Sequence, residues 1–232
     1  MSEKQNIPTE VSVYTESFLE EHFGEKPEQV QVLFRPPFLL IYFTDFLLPT
    51  EEIFLKNGKW DTVLETRDIL IQSVKDDFLK GLQKYSGHQP KNLYADWNLT
   101  KRNGLFIVTM EKENTVKGFE GPADVDYETL EEIILLNSIR TQKKPDQTNL
   151  YWLNDQTLLV ERLGVLVDIE KELIKNGVTE ELRLAKRPME YRIVELFNLE
   201  SVLKSSVQNL FVDWDFQQDV SYMVLFLDKK ES

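Results

Sequence analysis

LYADWN, at Leu93–Asn98, and LFVDWD, at Leu210–Asp215, read as two copies of one phrase. Two further blocks recur in the same order. Lys26-Pro27-Glu28-Gln29 matches Lys144-Pro145-Asp146-Gln147 at an offset of 118, and Lys56-Asn57-Gly58 matches Lys175-Asn176-Gly177 at 119. Asp96-Trp97 matches Asp213-Trp214 at 117. One such block is within chance, but three in register point to a duplicated unit, and two copies make a tandem pair rather than a solenoid.

The register predicts matching elements. Pro36-Pro37 falls on Asn154-Asp155, and both pairs are turn formers between apolar runs, so each half opens with a strand pair. Asn103-Gly104, between LYADWN and LFIVTM, predicts a tight hairpin turn, with Gln217–Ser221 as its counterpart. Between the hairpins, Val63, Leu70, Val74, Phe78, Leu82 and Tyr85 recur at helical spacing. Ile193, Leu196, Leu199, Leu203 and Val207 do the same in the second half, where Pro188 predicts the start of the helix. A shorter helix precedes each long one and ends near Gly58 or Gly177. Each half begins with a helix, Thr9–Phe23 and roughly Tyr127–Arg140, the latter capped by Asp124 or Asp126.

The expected fold is α+β: two tandem α-β-β-α-α-β-β two-layer sandwiches with antiparallel sheets, related by a pseudo-twofold. The expected boundaries are 1–114 for the first unit, 115–123 for a Gly- and Pro-containing linker, and 124–232 for the second.

Composition excludes several functions. The 232 residues contain no cysteine, so there is no disulfide, thiolate metal site or cysteine nucleophile. The two histidines, His22 and His88, lack the serine-and-acid context of a triad, and no zinc site or cofactor is expected. The acidic excess is shared: 13 basic against 18 acidic residues in 1–116, and 14 against 22 in 117–232. A field of this sign repels nucleic acid and anionic lipid. The start, MSEKQNIPTE, predicts no secretory signal, and the longest apolar run, Phe38–Phe43, is too short to span a bilayer. A cytoplasmic protein without direct membrane insertion is expected.

The order LLIYFTDFLLPTEEIFLKNG, LETRDILIQSVKDDFLKGLQKYSG, LYADWNLTKRNGLFIVTME resembles the MpsC domain family. That bacterial family is named for component C of a proposed sodium-translocating, membrane-potential-generating system and was long a domain of unknown function. Its members usually hold one such unit, so this chain looks like two fused. The family's segment after its second strand runs roughly leucine, threonine, proline, small residue, glutamate. The first half reads Leu48-Pro49-Thr50-Glu51, and the second, Leu166-Val167-Asp168-Ile169-Glu170, keeps only the acidic position. The resemblance implies association with a membrane ion or bicarbonate transport system.

The candidate binding residues are Asp96, Trp97, Asp213 and Trp214. Neighbours in a strand face opposite ways, so one of each pair is expected in the core, and tryptophan is the natural choice. Placed near the pseudo-twofold, the two aspartates would form a carboxylate pair for a cation or for acid–base work. The competing role, satisfying backbone donors at a strand end, is favoured. Asp213/Asp215 and Asp124/Asp126 have the spacing of acidic metal pairs, but Asn98 replaces the second aspartate in the first half.

With no catalytic constellation complete, the sequence favours a non-catalytic interaction protein, an intramolecular pseudo-dimer that binds a protein partner; a further homodimer is left open. The alternative is a small-molecule binder or enzyme using a cleft between the two repeats, with Asp96 and Asp213 as polar anchors.

Overall fold

Leu39, Ile41 and Phe43 alternate along one face of β2 (Phe38–Thr44) and enter the first core, as the period of two requires. In the computed structural model, which describes residues 7–111 and 119–228, the chain divides into two units, Met1–Val116 and Lys117–Ser232. The predicted linker, 115–123, falls partly on 112–118 and so partly outside the described residues.

The first unit runs α1 (Ile7–Phe23), β1 (Gln29–Arg35), β2, α2 (Pro49–Lys56), α3 (Trp60–Ser86), β3 (Pro90–Asn98) and β4 (Asn103–Met110). Its antiparallel sheet has the order β1-β2-β4-β3, and α1 and α3 cover one face. Gly87 ends α3 at φ 67°, its N–H donating to Gln83 O.

The second unit runs α4 (Tyr127–Thr141), β5 (Gln147–Asn154), β6 (Thr157–Leu163), α5 (Asp168–Lys175), α6 (Glu180–Leu196), α7 (Leu199–Leu203), β7 (Val207–Asp215) and β8 (Val220–Leu227). Its sheet order is β5-β6-β8-β7, again all antiparallel. The expected α+β architecture is present in both units. Asp126, of the two predicted caps, closes α4: its Oδ1 accepts from Thr129 N–H at 3.1 Å.

Two local expectations fail for identifiable reasons. Asn103 pairs with Asn98, so the hairpin loop is Leu99–Arg102 and Asn103-Gly104 opens β4 instead. Gly104 answers to packing, because a Cβ there would collide with the rings of Phe43 and Trp97. Gly104→Ser is therefore expected to destabilise the first unit by about 1–3 kcal/mol, read as a lower denaturation midpoint.

The second long helix differs too. It begins at Glu180, eight residues before Pro188, which lies inside it. It stops at Leu196; Phe197 is extended (φ −121°, ψ 136°), Leu199–Leu203 form a separate turn of helix, and Val207 belongs to β7. The apolar stripe read as one helix is thus three elements.

Candidate functional site

A side-chain arrangement common to both units starts at the short helix after the second strand. Pro49 opens α2 without needing an N–H donor, and Glu51, at the third position, turns back so that its Oε2 accepts from Leu48 N–H at 2.9 Å. The same carboxylate takes Arg67 of α3 in a two-pronged pair, Nε to Oε1 at 2.7 Å and Nη2 to Oε2 at 2.6 Å. Arg67 is fully buried. Its Nη2 also donates to Phe46 O, and the guanidinium lies 4.7 Å from the Trp97 ring centre.

The second unit repeats the device with a different base. Glu170, third in α5, accepts from Val167 N–H at 3.0 Å and holds Lys186 of α6 at 2.7 Å; Lys186 Nζ lies 5.4 Å from the Trp214 ring centre. Arg67 and Lys186 are 119 residues apart, as are Glu51 and Glu170. The corner beside the short helix is matched with its charges exchanged. Arg102 pairs with Glu52 at 2.8 Å in the first unit, and Asp219 faces Lys171 at 3.8 Å in the second.

Burial pushes Lys186 below the ordinary lysine value of 10.5, against the upward pull of Glu170 and Glu190. Below its folded value the lysine is charged in both states, and between that value and 10.5 only the unfolded chain holds the proton, so stability rises with pH through that window. Lys186→Met is expected to lower stability, because Glu170 loses its partner, and to flatten that alkaline rise in denaturant titrations run at several pH values.

Asp96 and Asp213 are 1% and 3% exposed, and each Oδ1 accepts from the next residue's N–H, Trp97 at 2.9 Å and Trp214 at 2.7 Å. Asp213 also pairs with Arg183. Trp97 and Trp214 lie in the hydrophobic cores of their units, as expected, and Asp96 and Asp213 lie outside those cores but are buried too, which the sequence did not lead us to expect. Trp97 Nε1 donates to Asp68 Oδ1 at 3.3 Å, whereas Trp214 Nε1 has no acceptor. Arg187, buried as well, stands 119 residues after Asp68, at the matching register position.

The other candidates are locally engaged. Asp215 Oδ1 accepts from Gln217 and Gln218 N–H and closes the hairpin loop. His22 packs on Phe18, and His88 Nδ1 lies 2.6 Å from Ser86 O. Among the described residues no group of three or more His, Cys, Asp or Glu could hold a metal ion. On the second face of the second sheet, Glu161 accepts from Asn149, Tyr151 and Tyr222; burial first, then Glu161, pushes the Tyr151 hydroxyl up to about 12.

Sequence reading missed Arg67, Asp68, Arg162, Lys186 and Glu190. The signal was present: Arg67 sits four residues after Val63 on the apolar stripe of α3, and Arg162 shares a strand face with Leu158 and Val160. A charge at a core position announces a buried pair.

The Glu51 carboxylate is fully engaged, although Arg67 Nη1 is buried without a hydrogen-bond partner. Both Glu51 oxygens are taken by a backbone donor and a guanidinium, which suits holding α2 in place and leaves no base ready for a substrate. No helix among the described residues is long and apolar enough to cross a membrane. No curated protein and no solved structure matches the chain. Residues 3–112 match the family described as Na+-translocating membrane potential-generating system (MpsC). The first unit of this chain is a member of the MpsC family.

Proposed function

We propose that the chain is a non-catalytic accessory protein, a fusion of two MpsC-like units that acts from the cytoplasm by docking a protein component of a membrane ion-transport system. The family description supports the link to a membrane system. The observation that carries the non-catalytic reading is that both oxygens of Glu51 and of Glu170 are engaged by internal donors. A catalytic carboxylate or amine needs a free lone pair or a transferable proton facing substrate.

Photo-crosslinking in the producing cells, followed by membrane fractionation, tests it. An adduct with an integral membrane protein is the expected result. An absence of membrane adducts, with a metabolite or divalent ion raising the melting temperature of the purified protein and being turned over, would replace accessory binding with catalysis.

A further inference from the structure

The two cores differ in kind. In the first unit Phe43 on β2 pairs across the sheet with Gly104 on β4, and its ring packs 5.7 Å from Trp97 and 5.1 Å from Phe106. In the second unit the same strand positions hold Arg162, paired with Ser221. Glu190 stands 119 residues after the buried Ile71, and the burial pattern of α4 sets Asn137 and Ser138 where α1 has Phe18 and Leu19.

Arg162 is fully buried. It donates from Nε to Ser221 Oγ at 2.9 Å, from Nη1 to Ser138 Oγ and Glu190 Oε2 at 3.1 Å each, and from Nη2 to Glu190 Oε1 at 2.9 Å. Asn137 Nδ2 adds a bond to Glu190 Oε2 at 2.9 Å. Each guanidinium nitrogen is taken, so the cluster is no ligand site. Its charges have left water for partners that do little more than replace it, where the first unit has aromatic and aliphatic contact.

Two other observations point the same way. Among the described residues, Asn137 Oδ1, Gln142 Oε1, Trp152 Nε1 and Trp214 Nε1 of the second unit are buried without a hydrogen-bond partner, against Arg67 Nη1 of the first. The 27-residue α3 is matched by a helix that contains Pro188, whose nitrogen cannot donate to Leu184 O, and that breaks at Phe197.

We propose that the second unit is the switchable half of the chain, opening cooperatively from the native state while the first unit stays folded. A unit of low local stability is the one a bound partner can rearrange.

Native-state hydrogen exchange read by mass spectrometry on the full chain tests this. Peptides from β6, β8 and α6 are expected to exchange at least about tenfold faster than those from β2, β4 and α3. Equal rates, or faster exchange in the first unit, overturn the proposal. A variant carrying the first unit's residues (Asn137→Phe, Ser138→Leu, Arg162→Phe, Glu190→Ile, Ser221→Gly) is expected to slow exchange of the second unit by about tenfold or more. A folded variant with unchanged rates would refute the polar core as the cause. Should that variant not fold, the wild-type comparison decides, with Pro188→Ala expected to slow exchange within α6.

Discussion

Arg67→Ala is expected to destabilise the first unit by about 3–5 kcal/mol, because it strands the Glu51 carboxylate in the interior. Only one Glu51 hydrogen bond, that from Leu48 N–H, would survive, and the Phe46 carbonyl would lose its donor as well. The substitution also removes the cation lying on Phe46 and Trp97. Arg67→Lys is expected to cost clearly less, because the second unit already places a lysine in this slot, 2.7 Å from Glu170 and over Trp214. Denaturation midpoints of the two variants rank them. If lysine proved as damaging as alanine, the two pairs would not be equivalent devices.

Trp97→Ala is expected to cost a comparable amount, about 3–5 kcal/mol, since it empties the centre of an aromatic cluster. Phe23, Phe43, Phe46 and Phe106 all pack with ring centres 5.7–6.3 Å from it. The informative comparison is the milder one. Trp97→Phe leaves Asp68 without the indole donor, whereas Trp214→Phe removes a donor that has no acceptor. The first is expected to exceed the second by about 1 kcal/mol, measured as a difference in unfolding free energy. Equal costs would mean that the indole bond to Asp68 contributes nothing.

Much of the architecture was legible because it rests on local chemistry. The turn at Pro36-Pro37, the glycines after α2 and α5 at φ 71° and 78°, and the Asp126 cap all follow from what single residues permit. The readings that failed depended on tertiary contacts. Asn103-Gly104 carries a hairpin signal, but the space left between Phe43 and Trp97 decides where that glycine goes. Pro188 reads as a helix start, yet the chain accepts it inside α6, where Lys186 and Glu190 face the interior.

The site was less legible than the fold. Asp96 and Asp213 stood out because they repeat, and they turn out to bind the backbone beside them. Glu51 and Glu170 were visible as the persisting acidic position, but their partners lie 16 residues further on in a helix and carry different names, arginine and lysine. Nothing in the local pattern pairs them. Comparing the two halves position by position does, because a charge that recurs on an otherwise apolar face requires a partner of opposite sign.

An experimental structure of the full chain, with residues 119–228 superposed on 7–111, is the decisive measurement. One strand order should emerge in both halves, with Glu170, Lys186 and Trp214 landing on Glu51, Arg67 and Trp97. Different strand orders, or acidic residues at the two helix starts turned to unrelated partners, would contradict a shared plan.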